Sequence, residues 1–278
     1  RDLHHPHSGE GLMTNRDILV IDDEEVITGA VTRICTAEAM SVDAASSGAA
    51  ALTLLESRCY RLIVCDIMMT DVDGFQFLAE AARRGIATPV VMATGYSTVE
   101  NAVRSLSCGA VDFIPKPFTA DELLAVVRRG IRCGQLQRLA ATPSEEPPDT
   151  LAYVPCPSKY YRLGYISWVL VEHEGTALVG ITDLFLKTID SVVGFALSQV
   201  DDDVVQGESC ASVLSVDGAT HAVMCPLSGR IVEVNPAPAA DPTVVEKDPY
   251  FEGWLYRILP SELEPDLKQL TPCSSDRL

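Results

Sequence analysis

The chain has 278 residues, 47% of them apolar and 6% aromatic, and a formal net charge of −18 at pH 7. That length suits two ordinary domains better than one, and the composition is that of packed globular chain rather than of a disordered one. No apolar run approaches the about 18 residues that a bilayer-spanning helix needs, so no membrane insertion is expected. The charge is uneven: residues 14–140 carry 12 basic and 16 acidic side chains, whereas residues 141–278 carry 8 and 21. Displacing counterions from nucleic-acid phosphates takes clustered Lys and Arg, and the acidic second half speaks against a nucleic-acid partner.

Taken in chain order, Arg1 to Leu12 includes His4, His5 and His7 and lacks the apolar core of a signal peptide. With Met13 read as the natural start, residues 1–13 are an N-terminal extension or upstream remnant outside the fold. The nine cysteines form no C-x-x-C pair, and Cys35, Cys59, Cys65 and Cys108 fall on apolar faces. Such cysteines are small buried hydrophobes of a reducing compartment, so a cytoplasmic location without structural zinc is expected.

Residues 14–139 alternate short apolar runs with amphipathic stretches. Ile18 to Ile21 ends at Asp22-Asp23, Leu62 to Cys65 at Asp66, Pro89 to Ala93 at Thr94, and Val111 to Ile114 at Pro115-Lys116. Unbroken apolar runs of this length suit parallel strands covered on both faces. A weaker run near Met40 to Ala44 makes five. Helical spacing spans Val26–Ala37, Ala49–Glu56, Phe75–Arg83, Val99–Leu106 and Asp121–Leu139, with Gly48, Gly74, Gly85 and Gly109 as punctuation. The pattern predicts a doubly wound α/β domain with a five-stranded parallel sheet. Ligands of such sheets bind beyond the carboxyl ends of the strands, where Asp22, Asp23, Asp66, Thr94 and Lys116 converge.

A Pro- and Glu-bearing linker is predicted over 140–158. Short strands then follow at Gly164–Glu172, Thr176–Ile181, Val192–Leu197, Ser209–Val216, Thr220–Met224, Gly229–Val234 and Trp254–Leu259. A short helix is expected over Asp183–Asp190, with Asp183 as its cap. This spacing indicates a small all-β barrel or sandwich over 159–265, with 266–278 as a C-terminal tail.

Three carboxylates at adjacent strand ends would repel one another unless a cation joined them, and an all-oxygen set points to Mg²⁺. Lys116 can hold a phosphoryl oxygen and Thr94 can donate to one. Phosphoryl transfer needs an aligned nucleophile and positive charge on the equatorial oxygens, so Asp66 is the expected acceptor and an acyl phosphate the product.

Across residues 16–138 the sequence resembles the receiver domains of bacterial response regulators. Asp22-Asp23-Glu24 corresponds to the family's acidic pair and Cys65 to Gly74 to its phosphoacceptor loop, with Thr70 where proline is usual. Ala93-Thr94-Gly95-Tyr96 and Phe113-Ile114-Pro115-Lys116-Pro117-Phe118 correspond to its threonine and lysine motifs. The resemblance implies a flavodoxin-like fold, direct Mg²⁺ ligation by Asp23, Asp66 and the Met68 carbonyl, and Asp22 acting largely through water. It also implies a cis Lys116–Pro117 bond, Thr94 and Phe113 as the switch pair, and a sensor histidine kinase as phosphoryl donor. A receiver homodimer is among the assemblies it allows.

Residues 160–263 resemble the H protein of the glycine cleavage system, a lipoyl carrier with a barrel-sandwich hybrid fold. The resemblance rests on Gly180 to Asp183, Cys225 to Asn235, Asp248-Pro249-Tyr250 and Glu252 to Leu255. That family carries lipoate on a lysine at a hairpin tip, in a sequence near Glu-Ser-Val-Lys-Ala. Here the stretch is Leu214-Ser215-Val216-Asp217-Gly218-Ala219, with Asp217 at the lysine position. Aspartate cannot form the lipoyl amide, so no lipoate is expected. Asp-Gly is a strong turn dipeptide, so the hairpin itself is expected to survive. His221 and Cys225 are read as strand residues, Asp201-Asp202-Asp203 as a solvated turn, and Tyr250, Trp254 and Tyr256 as core. The preferred reading is a phosphorylation-switched, non-enzymatic regulator whose β domain docks an unidentified protein partner. The alternatives are a carrier component under receiver control and a phosphorelay intermediate.

Overall fold

The computed structural model describes residues 14–70, 73–95, 98–141 and 153–277. The expected elements at 1–13 and most of the linker lie outside the described residues.

The N-terminal unit alternates β1 (Thr14–Ile21), α1 (Glu25–Ala37), β2 (Val42–Ala45), α2 (Gly48–Leu55), β3 (Arg58–Asp66), α3 (Gly74–Arg83), β4 (Val90–Thr94), α4 (Val99–Ser107), β5 (Asp112–Pro115) and α5 (Ala120–Ala141). Its strands form one parallel sheet in the order β2-β1-β3-β4-β5. The apolar runs are central because both faces are covered: Ile18, Val20, Leu62 and Val91 pack under α1 and α5, and Leu19, Ile21, Ile63 and Met92 under α2 and α3. Side-chain caps start the helices where the sequence allows them, with Ser47, Asp73 and Thr98 accepting from Ala50, Gln76 and Asn101 amides. Of the four cysteines expected on buried faces, Cys35 and Cys65 are buried but Cys59 and Cys108 are exposed. Cys59 lies on the outward side of β3, and Cys108 forms the C-cap of α4.

The second unit is antiparallel. Its elements are β6 (Tyr161–Leu163), β7 (Ser167–Val171), β8 (Ala177–Ile181), α6 (Asp183–Thr188), β9 (Val192–Leu197), β10 (Asp203–Val204), β11 (Ser209–Ser215), β12 (Thr220–Met224), β13 (Gly229–Val234), α7 (Ala237–Ala240), α8 (Thr243–Lys247), β14 (Trp254–Pro260), α9 (Leu263–Lys268) and β15 (Thr271–Pro272). A seven-stranded sheet in the order β10-β13-β14-β8-β7-β6-β15 faces a three-stranded one in the order β12-β11-β9. Val169, Val179, Val213, Val223, Ile231 and Ile258 fill the space between them.

The strand expected over Gly164–Glu172 is the shorter β7, because Gly164 to Ile166 form the turn that joins it to β6, with Gly164 at φ +55°. Asp183 does not cap α6: Thr182 does, accepting from the Phe185 amide, while the buried Asp183 carboxylate accepts from the Val154 amide. The stretch from 266 is not a tail. Asp266 accepts from the Ser228 amide, β15 pairs with β6, and Leu270 and Cys273 are buried, because that segment supplies the sheet's last strand.

Candidate functional site

Each predicted acidic or basic residue of the first unit sits at a strand end because the apolar run before it is consumed by the sheet. Asp22 follows β1, Asp66 closes β3, Thr94 closes β4 and Lys116 follows β5. The order β1-β3-β4-β5 makes them neighbours. The Lys116 Nζ donates to Asp22 Oδ2 at 2.6 Å and to Asp66 Oδ1 at 2.8 Å, with all three side chains buried. Asp22, Asp23 and Asp66 each offer an oxygen within 4.8 Å of the others. Asp23 is half-buried at the rim, where it accepts from the Thr70 amide, and the second Asp66 oxygen accepts from the Met68 amide. The Lys116 amide donates to the Thr94 carbonyl at 2.7 Å, tying the β4 and β5 ends together, and Lys116–Pro117 is cis.

Burial raises the Asp66 pKa above the usual carboxylate range, although Lys116 works against it. Burial alone would push Lys116 down, but its hydrogen bonds to Asp22 and Asp66 outweigh that and hold it above an ordinary lysine. The donor set is all oxygen, part buried and part open to solvent, with one lysine against three carboxylates. It therefore has room and charge for a divalent cation. Gly74 matters to this geometry. A Cβ there would lie 2.2 Å from the Asp66 carbonyl oxygen and 3.0 Å from Ile67 Cα, so only glycine lets α3 start against the acceptor strand.

Phe113 is buried beside the site strand, paired in register with Met92. Asp217 is not part of this cluster; it lies on the β11–β12 hairpin, exposed, accepting from Ser215 Oγ at 2.5 Å and from the Ala219 amide at 3.0 Å. Gly218 takes φ +83°, which completes the expected turn.

The residues that sequence reasoning missed join the two units. The second unit covers α4, β5 and α5. Val103 and Leu106 of α4 belong to its core, Leu184 of α6 packs into the first unit's core, and Met224 packs against the cores of both. The Ser107 hydroxyl donates to the Gln269 carbonyl. Arg129 of α5 donates twice to Asp112 Oδ2, at 2.6 and 2.9 Å, and approaches His221 Nδ1 at 3.0 Å. His221 Nε2 lies 3.0 Å from Ser215 Oγ. In the sequence Arg129 reads as one more charge on a solvated helix face and His221 as one more strand residue, so nothing there marked the contact.

Comparison with known proteins agrees with both halves. The response regulator receiver domain family matches residues 18–128, and the glycine cleavage H-protein family matches residues 159–275. The transcriptional regulatory protein TcrA of Mycobacterium tuberculosis is 34% identical over 128 residues, covering 46% of this chain and 51% of that protein. A probable glycine cleavage system H protein 1 of Saccharolobus solfataricus is 38% identical over 103 residues, covering 37% of this chain and 74% of that protein. The crystal structure of the NtrX receiver domain from Brucella abortus is 38% identical, covers 41% of this chain and 98% of its own, and superposes with a TM-score of 0.40. The chain spans about half the length of the regulator it matches. Its first half therefore matches the response regulator receiver family over residues 18–128, and through its second half the chain belongs to the glycine cleavage H-protein family. Among the described residues no helix is long and apolar enough to cross a membrane.

Proposed function

We propose that this chain is a two-component response regulator in which a sensor histidine kinase supplies a phosphoryl group to Asp66. The single observation that carries the reading is the buried Lys116 ammonium bridging Asp22 and Asp66 beside the open carboxylate of Asp23. An Asp66 carboxylate oxygen attacks phosphorus as the bond to the donor's nitrogen or acyl oxygen breaks, leaving an acyl phosphate. The leaving group departs with the bonding electrons. Asp22, Asp23, Asp66 and the Met68 carbonyl would hold Mg²⁺, which when bound neutralises the phosphoryl oxygens. Lys116 then exchanges its contact with Asp66 for a phosphoryl oxygen. The Thr94 hydroxyl donates to another, and Phe113 on the adjacent strand follows Thr94.

This division of labour assigns a receiver to 14–139, a linker to 140–158 and an H-protein-like output domain from 159, with α5 running on to Ala141 and Val154 already held by Asp183. The output domain is a binding module for a protein partner and carries no lipoate. Asp217 stands where the family's sequence has its lipoyl lysine, and its carboxylate is engaged within its own turn. Incubation with acetyl phosphate and Mg²⁺, followed by intact-mass analysis, should add one phosphoryl mass to the wild type and none to Asp66→Asn. Equal yield on the variant would overturn the assignment.

A further inference from the structure

Two buried cysteines of the second unit meet at the base of the β11–β12 hairpin. The pairing of β11 with β12 shifts between Ser209 and Ala211, so Cys210 is the extra residue of a bulge, and Cys210 and Ala211 are both buried. The hydroxyls of Ser198 and Tyr256 each donate to the Cys210 carbonyl, at 2.9 and 2.8 Å, which pins the bulge in place. Cys225 lies one residue past the end of β12. Its amide donates to the Glu208 carbonyl at 2.7 Å, and its carbonyl accepts from the Gly207 amide at 2.8 Å. Backbone pairing thus sets Cys225 beside the bulge, and the two side chains are in hydrogen-bonding contact. Beyond that contact, Cys210 Sγ stands 3.6 Å from the Val223 carbonyl oxygen and Cys225 Sγ 3.1 Å from that of Leu227. Both cysteines are reduced.

An opening leads to this pair from the surface. A cavity of about 180 Å³ is lined by Ser198, Asp202, Asp203, Glu208, Ser209 and Cys210. It has room for a molecule of a few heavy atoms, and the three carboxylates along it repel anions. The Cys225 thiol, and burial after it, hold the Cys210 pKa well above that of an ordinary thiol. The thiolate is the reactive form, so the closed pair reacts slowly and persists as two thiols in a reducing compartment.

We propose that Cys210 and Cys225 are a two-electron oxidation site: a small neutral hydroperoxide, entering past Glu208, closes them into a disulfide that ties β11 to the end of β12. Cys210 lines the cavity and reacts first. Its sulfur, having lost its proton, attacks the terminal oxygen of the hydroperoxide. The O–O bond breaks, and the departing alkoxide or hydroxide takes up a proton. Cys210 is then a sulfenic acid. The Cys225 sulfur attacks that sulfur, the S–O bond breaks, and water leaves as the S–S bond forms. In sum, two thiols and one hydroperoxide give a disulfide, an alcohol or water, and a further water. The sulfur pair loses two electrons and two protons, and the peroxide bond is reduced. The bond formed closes residues 210–225 into a ring with Asp217 at its tip, so the hairpin can no longer unzip at its base.

The test uses the full reduced chain and hydrogen peroxide. The sequence has no Lys or Arg between Lys187 and Arg230, so trypsin releases residues 188–230 as one peptide whose only cysteines are Cys210 and Cys225. After peroxide, alkylation in denaturant and digestion, that peptide should carry no alkyl group and weigh two hydrogens less than its reduced form. Dithiothreitol before alkylation should restore two alkylated cysteines. Cys225→Ser should abolish the two-hydrogen loss, and the wild-type peptide decides the matter even where the variant fails to fold. Oxidised glutathione, an anionic disulfide, should close the bond at least about tenfold more slowly at equal concentration, because the cavity is acidic. A wild-type peptide with both cysteines alkylated, under peroxide that oxidises the exposed Cys59 and Cys108, would overturn the site. A disulfide from Cys210 or Cys225 to a cysteine of another peptide would do the same. Equal rates with the two oxidants would overturn entry through the acidic cavity.

Discussion

Replacing Lys116 with methionine removes a charge from the centre of the receiver site while keeping an unbranched stem. The lysine side chain is 7% exposed, and those of Asp22 and Asp66 are 2% and 4% exposed. Taking away one partner of a buried ion set costs about 3–5 kcal/mol, because the remaining carboxylates keep their desolvation penalty and now repel each other. Asp66, already raised by burial, is the group that would take up a proton to relieve this. The loss should therefore be largest in mildly alkaline buffer and shrink as the pH falls toward the carboxylate range. A divalent cation among Asp22, Asp23 and Asp66 would replace the missing charge, and at a hundredfold excess over its Kd it restores about 2.7 kcal/mol. Urea unfolding followed by helical ellipticity, in chelator and then in Mg²⁺, measures both effects, since the long helices lie in the receiver. A variant as stable as the wild type in chelator at alkaline pH would refute the account of a lysine holding two buried carboxylates together.

Gly74→Ala should destabilise the receiver by about 1–3 kcal/mol in a denaturation curve, because the added methyl meets backbone atoms that cannot give way; a neutral result would mean that α3 can slide. Burial first, and the nearby Arg129 charge second, hold His221 below its ordinary pKa of 6.5, with Asp217, Asp112 and Asp190 pulling the other way. The folded chain therefore binds a proton there less readily than the unfolded one. The stabilisation is complete above about pH 6.5 and is lost as pH falls through the lower folded value. Thermal unfolding from pH 7.5 down to 5.5 should show a slope that His221→Gln flattens, and an unflattened slope would assign the titration elsewhere. No duplex DNA binding is expected at physiological salt, with or without phosphoryl mimic, since residues 141–278 carry 21 acidic against 8 basic side chains; submicromolar, salt-sensitive binding in a mobility assay would contradict this. Expression with active lipoate ligase should leave the wild-type mass unmodified, while Asp217→Lys combined with Leu214→Glu gains a lipoyl adduct; a lipoyl mass on the wild type would restore the carrier reading.

Much of the receiver was legible because its signals are local and one-dimensional. An apolar run followed at once by Asp22, Asp66, Thr94 or Lys116 states both the strand and where it stops, and parallel topology then brings those stops together. The β unit was legible at strands with clean turn boundaries, such as Val192–Leu197, Thr220–Met224 and Gly229–Val234, whose limits coincide with the structure. It was not legible at β10 and β15, each two residues long, which exist only because a neighbouring strand offers unpaired backbone. The interface was the least visible. Val103 and Leu106 have the spacing of any helix that packs on its own sheet, and only the partner's position shows that they belong to another core.

The hairpin also shows why contact geometry, not residue type, decides chemistry. Ser215 and His221 stand 3.0 Å apart beside Asp217, the residue types of a nucleophile, its base and an acid. A base must present a lone pair to the hydroxyl. Here Arg129 occupies the Nδ1 lone pair, which leaves the Nε2 proton directed at the hydroxyl, so His221 cannot accept the serine's proton. The carboxylate likewise bonds the serine, not the imidazole. The same three side chains that could have activated a nucleophile are wired as a strut between hairpin and receiver. That wiring gives a reason for Asp217 at the tip: it ends the polar chain with an acceptor, where a lysine would have ended it with a second donor.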